Sequence, residues 1–371
     1  MKRISALLLA LAMSLALVSC GGPSASSGAD GTSSSGNDAS SGNTGSNTLS
    51  YAGETLVVQV WGGTYEETLR KYAIPSFEAK TGAKVEVVSG AAPLAQLATE
   101  GDNASIDVLH VDTFEVVQGN NMGVLETLDI SKLENAADLY DEAFMYDTAV
   151  VTNWGTYGLV YRADLVEKAP TSWMDLWDSA YAGGKAGLID YSMGGGLEFL
   201  EAVSRIQGTH VEDTNNWDKL FNELQSLKGN IGIYASQHAD LESALSSGDV
   251  VISVETNGRA IGLMREGYDI KFCQPEEGAI AMTSLTAISS GSTKKDLAYL
   301  FINELLSPEV QKAYAENNYY APSNSKTVID EELQGFMPYG QEQVSNLAYM
   351  DSAALEPVKA DLIERWNREF K

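Results

Sequence analysis

Apolar positions along the chain alternate between a strand-like and a helix-like period, and the first such alternation is the clearest. Val57, Val58 and Val60 form a β-branched run that stops at Trp61-Gly62-Gly63, which predicts a strand followed by a turn. Leu69, Tyr72, Ala73 and Phe77 then recur at helical spacing, and Thr64 with Glu67 three residues on has the composition of a capping box. Pro75 inside that pattern predicts a kink, Gly82 an end, and Val85, Val87 and Val88 a second strand. Strand, helix and strand in that order make a βαβ unit with a parallel pair and a right-handed crossover. Ligands of open α/β sheets bind outside the carboxyl ends of the strands, which places Trp61 to Tyr65 at a binding mouth.

The rest of the pattern continues the alternation. Strands are expected at 106–111, 186–189, 250–254, 270–273 and 280–288. A long β-rich run from Thr148 to Arg162, broken by Asn153-Trp154-Gly155, reads as a strand that leaves one lobe and enters another. Helices are expected at 164–168, after Pro170, after Gly194-Gly195-Gly196, and at 240–247, 296–306 and 309–316. An amphipathic, mostly helical tail is expected from Pro338. Strands alternating with helices give an α/β class.

Composition changes the picture at the N-terminus. Lys2 and Arg3 precede an uncharged Leu/Ala-rich stretch to Val18, a secretory signal over residues 1–19 that is too short for a membrane span. Gly, Ser, Asn and Thr dominate from Gly21 to Ser50, so residues 20–53 are expected to form a flexible tether. Residues 54–371 exceed one typical domain and suggest two lobes. The formal charge of −27 opposes nucleic-acid binding. Cys273 is the single cysteine besides Cys20, so no disulfide within the fold is expected, and it reads as a small buried hydrophobe. Three histidines without zincin spacing, and no nucleophile motif or P-loop, argue against an enzyme, a metal or a cofactor.

Two resemblances sharpen this reading. Leu17-Val18-Ser19-Cys20 resembles the lipobox of bacterial lipoproteins, which implies cleavage before Cys20 and its acylation. The ordered segments WGGTYEETLRKYAIPSFEAKTGAKVEVV, IDVLHVDTFEV, NWGTYGLVYRADL, PTSWMDLWDSAYAGGKAGLID and INELLSPEVQKAYAENNYYAPSN resemble the extracellular solute-binding proteins of ABC importers, most of all the spermidine/putrescine-binding branch. The resemblance implies a type II periplasmic-binding-protein fold, with two α/β lobes, a hinge and a ligand cleft between them. Lobe 1 would be 54–154 plus 286–325, lobe 2 would be 159–281, and 326–371 would be helices packed on the outside. It further implies a monomer that closes on a small solute and delivers it to an ABC permease. The protein would be anchored on the outer face of the cell membrane, in the periplasm where an outer membrane exists.

Candidate ligand contacts cluster at strand ends. Trp61, Gly63, Thr64 and Tyr65 offer an aromatic wall and amides at a helix N-terminus. Asp112 and Thr113 hold the matching place after the next strand, where Asp112 either meets an ammonium or caps a helix. Asn153, Trp154 and Tyr157 lie at the hinge, with a core role the alternative for Trp154. Asp190, Tyr191 and Ser192 end a second-lobe strand, Glu255 and Asn257 another, and Thr283 and Tyr320 complete the set. Gly194 to Gly196 is a weak phosphate-cradle signal. Where polyamine binders carry Trp and Asp, this chain has Ala281 and Thr283, which removes a cation–π surface and an ammonium partner. Acids at three strand ends, Asp112, Asp190 and Glu255, point to a small organic cation, or to a zwitterion whose carboxylate meets Arg259. The alternatives are a ferric-iron or phosphonate-type binder, with Tyr319-Tyr320 inviting the iron comparison, a secreted enzyme, or a sensory or adhesive lipoprotein.

Overall fold

The computed structural model describes residues 51–191 and 195–370. The signal segment, the expected lipidation site Cys20, the tether up to Ser50, and the candidate contacts Ser192 and Gly194 lie outside these residues. Ten strands form one curled mixed sheet: β1 (Thr55–Val60), β2 (Lys84–Ser89), β3 (Val108–Val111), β4 (Ala149–Arg162), β5 (Ala186–Ile189), β6 (Ile231–Ala235), β7 (Ile252–Thr256), β8 (Ile270–Cys273), β9 (Ile280–Ile288) and β10 (Ala321–Pro322). Their order is β2-β1-β3-β9-β4-β7-β5-β6, with β8 and β10 also paired to β4. β1 runs parallel to β2 and β3, and β5 runs parallel to β6 and β7. β4 and β9 are the antiparallel pair that joins these two parallel sets.

The long β-rich run is one strand rather than a broken one. The register of β4 against β9 shifts between Val151 and Asn153, so Thr152 is accommodated as a bulge and the ladder resumes at Asn153 opposite Ser284. Along β4, Val150, Val151 and Trp154 belong to one hydrophobic core, and Tyr157 and Leu159 belong to a second. The first core gathers β1, β3 and the helices Lys295–Leu305 and Pro308–Asn318; the second gathers β5, β7 and the helices Gly196–Ile206 and Trp217–Leu227. A smaller cluster packs Val160 and Ile189 against Leu241, Leu245 and Leu263. Gly158 permits β8 to cross closely, since a Cβ there would sit 2.5 Å from the Cys273 carbonyl oxygen.

Several local expectations are revised by the structure. Thr64 is the first helical residue and not the cap; its hydroxyl accepts from Asn318 Nδ2 at 3.2 Å instead of closing a capping box with Glu67. The kink expected at Pro75 takes the form of a π-helical segment at Leu69–Ala73, which relieves the missing Pro75 N–H one turn early. Residues 164–168 form no helix but a turn at 163–165 and a bend at 167–168, with Asp164 clamped by Arg162 at 2.7 Å. β6 and the helices Trp217–Leu227 and Asn257–Arg265 were not predicted. The tail follows both cores: Val344 and Leu347 enter the first, while Leu355, Leu362 and Trp366 enter the second. No helix among the described residues is long and apolar enough to cross a membrane.

Candidate functional site

A cavity of about 380 Å³ lies between the two cores. That size falls in the range of small-molecule sites. One wall is built by the carboxyl ends of β1 and β3. β1 delivers Trp61 and, at the start of the next helix, Thr64 and Tyr65; β3 delivers Asp112, Thr113 and Phe114. Tyr320 stands beside Tyr65, ring centres 5.9 Å apart, and the rest of the lining takes Tyr157 from β4, Ala281 to Ser284 from β9, Glu198 from the helix Gly196–Ile206, and Met350 from the tail.

The aromatic wall is braced from behind. His110 on β3 is fully buried, and its Nδ1–H donates to the Gln59 carbonyl at 2.9 Å. Burial holds its pKa down to about 4, so the ring is neutral. It packs edge-on to Trp61 and Tyr65 at 6.1 and 5.6 Å. The Tyr65 hydroxyl accepts from Asn153 Nδ2 at 3.2 Å, and burial raises its pKa to about 12. These contacts fix the rings that face the cavity.

Two carboxylates face the cavity from opposite cores. Asp112 caps the helix Thr113–Met122, accepting from the Glu115 amide at 2.8 Å while remaining exposed. Glu198 sits in the first turn of its helix and accepts from the Gly195 amide at 2.6 Å. Burial raises the Glu198 pKa, and the negative charge of Asp112 adds to the rise, while Lys359 opposes it. Tyr157 stays protonated for related reasons: burial first, then the nearby Glu198 and Glu255 charges. A cation between Asp112 and Glu198 would relieve their repulsion and replace the solvation that burial removes from Glu198.

A second compartment of about 470 Å³ shares Thr64, Tyr157, Met282 and Tyr320 with the first, and adds His238, Arg259 and Tyr319. Its character is reversed. Arg259 pairs with Glu242, and its Nε lies 3.7 Å from the buried Glu255 carboxylate, whose other oxygen meets His238 Nδ1 at 2.7 Å. Glu255 also accepts from the Thr256 amide at 2.8 Å. It therefore lies behind the wall and orients the Arg259 and His238 that face inward.

Of the sixteen positions singled out in the globular part, Trp61, Thr64, Tyr65, Asp112, Thr113, Tyr157, Thr283 and Tyr320 line the first cavity. Gly63 is the N-cap of the helix after β1, with φ 71°, and lies at the cavity's edge in sequence. Asn153 supports Tyr65 from behind, and Trp154 is core. Asn257 accepts from the Thr156 amide and donates to the Tyr319 carbonyl, tying β4 to the Tyr319-Tyr320 turn. Asp190 and Tyr191 are buried at the end of β5, Tyr191 against Trp366 of the tail. Gly196 is required by packing: a Cβ there would meet the Tyr191 backbone at 2.5 Å. Sequence reasoning missed Glu198, three residues past Gly195, because the run drew attention to phosphate rather than to the acid it introduces. Phe114, Met282 and Met350 were missed too. Met350 had no signal, as it comes from a tail expected to pack outside.

Comparison with known proteins agrees with this architecture. A γ-aminobutyric acid-binding protein of Pseudomonas aeruginosa is 25% identical over 325 residues, spanning 85% of this chain and 90% of that one. A spermidine/putrescine-binding periplasmic protein of Escherichia coli is 28% identical over 263 residues, 68% of this chain and 73% of the other. The crystal structure of an ABC transporter protein from Clostridium perfringens superposes with a TM-score of 0.74 at 25% identity, covering 85% of this chain and 100% of that one. Structures of this kind share the two-lobed α/β arrangement. Residues 73–334 match the bacterial extracellular solute-binding protein family, and the chain belongs to that family.

Proposed function

We propose that this protein captures a small ammonium-bearing solute in the cavity between Asp112 and Glu198 and hands it to an ABC permease. The single observation that carries this reading is the placement of those two carboxylates on opposite walls, one on each core, among the faces of Trp61, Tyr65, Phe114 and Tyr320. A cation drawn to both would hold the walls together, so binding and closure are one event. Aromatic faces stabilise the desolvated ammonium and its methylene stem. The lobes are taken as 54–154 with 286–325 and 159–281, with β4 and β9 as the hinge strands. Anchoring through Cys20 would keep the protein near its permease.

A zwitterion is the favoured form of this solute, because Arg259 and His238 stand in the adjoining compartment, where a carboxylate would reach them. The relatives named for γ-aminobutyric acid and for polyamines supply both kinds of probe. Small-angle scattering of the full-length protein with γ-aminobutyrate and with putrescine tests the reading. A solute that binds should contract the particle. Tight binding without contraction would overturn closure, and binding by anions alone would overturn the ammonium assignment.

A further inference from the structure

We propose that Lys359 sets the charge selectivity of this cavity, offsetting one of its two carboxylates so that a solute with a single ammonium group is preferred over a diamine or polyamine. The inference rests on the ammonium reading above and specifies the solute class further.

Lys359 is the first residue of the tail helix Lys359–Phe370. Its Nζ lies 3.6 Å from the centre of the Phe114 ring, a cavity wall that directly follows Asp112 and Thr113. The lysine thus places its charge against a ring that lines the compartment holding Asp112 and Glu198. Glu198 feels it: the Lys359 charge opposes the rise in its pKa. Helix stability does not account for the position. A cation at the first residue sits at the positive end of the helix dipole, which is unfavourable. No carboxylate among the described residues lies within ion-pair distance of Lys359, so an ion pair does not account for it either.

The segment around it is held in place. Ser352 Oγ donates to Thr113 Oγ1 at 2.7 Å, and Gln118 Nε2 donates to Glu356 at 3.0 Å, while Leu362 and Trp366 are buried in the second core. With Asp112 and Glu198 ionised and Lys359 charged, the compartment carries one net negative charge. One ligand ammonium neutralises it. A second ammonium within the same small space would be left unpaired and desolvated.

The test uses the full-length protein, with Lys359→Met to remove the charge while keeping a sulfur–aromatic contact with Phe114, and Lys359→Arg to retain the charge. Calorimetry with putrescine and γ-aminobutyrate gives an affinity ratio that a general loss of folding does not move. The ratio should shift towards putrescine by about tenfold or more in Lys359→Met, and should hold in Lys359→Arg. Titration of the ligand-free Glu198 carboxyl by NMR gives a second readout; its pKa should rise in Lys359→Met alone. Should wild type bind neither solute, the ammonium reading is what fails, and the NMR titration still decides whether Lys359 is coupled to Glu198. An unchanged affinity ratio in a protein that binds, or an unchanged Glu198 titration, overturns the inference.

Discussion

Replacing Glu198 by Gln should make the ligand-free protein more stable and the binding protein worse. The carboxyl is drawn from water, and its pKa is raised by that burial and by Asp112. A raised carboxyl pKa means that the folded state prefers the protonated form. The favourable contribution is therefore present at low pH and lost as pH rises through the folded value, so at neutral pH the ionised Glu198 costs stability. Gln removes the charge and keeps an oxygen to accept the Gly195 amide. Relief of about 0.5–1 kcal/mol, typical of such surface and cleft changes, corresponds to a rise of about 1–3 °C in melting temperature. The same change removes one partner of a charged contact with the solute. At the lower end of the usual range, because Glu198 is only half-buried, the loss is about 2 kcal/mol, or about 30-fold in affinity. Scanning calorimetry of the ligand-free variant from pH 4 to 8 and titration with γ-aminobutyrate at pH 7 measure the two effects. The stability gain should shrink as pH falls, since wild type then protonates on its own. A variant that melts lower at neutral pH, or that binds as tightly as wild type, would refute the reasoning.

Three other outcomes are expected. His110 is held neutral down to about pH 4, so the stability it provides is present above its unfolded value and is lost as pH falls from 6.5 towards 4. That loss amounts to about 3 kcal/mol, and urea unfolding against pH should show it in wild type and show it flattened in His110→Gln. Burial raises the Cys273 thiol to about 11. Native protein should therefore alkylate with iodoacetamide far more slowly at pH 8 than urea-unfolded protein, and equal rates would contradict the burial. Glu255→Gln loosens His238 and Arg259 and should weaken γ-aminobutyrate while sparing butylamine; equal effects on both would place the carboxylate elsewhere.

How much of this was legible in the sequence depended on range. The first βαβ unit and β9 follow from local signals: β-branched runs, a Gly-Gly turn and a terminating Gly82. β6 was not predicted, and its partly exposed IGIYA segment carries little of the continuous apolar signal that marks β4 or β7. The run stays one strand because β4 absorbs the extra residue Thr152 as a bulge, with Thr152 Oγ1 donating to the Ser284 carbonyl at 3.1 Å, and a cross-strand contact of that kind is not visible in sequence. At the site, strand ends predicted the β1 and β3 wall by a topological rule. The second wall obeyed no such rule. Asp190, Tyr191 and Glu255 also stand at strand ends, yet they are buried, while the acid that reaches the cavity projects from a helix turn. Glu255 illustrates the difference: hydrogen bonds from His238 and the Thr256 amide, and the Arg259 charge 3.7 Å away, absorb its carboxylate, and none of these can be foreseen from spacing alone. Met350 reaches the cavity, and Lys359 the Phe114 ring beside it, because tail residues enter both cores, a long-range packing choice that amphipathicity does not specify.

The most direct test of the account is calorimetric titration of the full-length protein with γ-aminobutyrate and with butyrate, which differ by the ammonium group alone. Binding between Asp112 and Glu198 predicts micromolar affinity or better for γ-aminobutyrate and no detectable binding of butyrate. Butyrate binding as tightly as γ-aminobutyrate would contradict it.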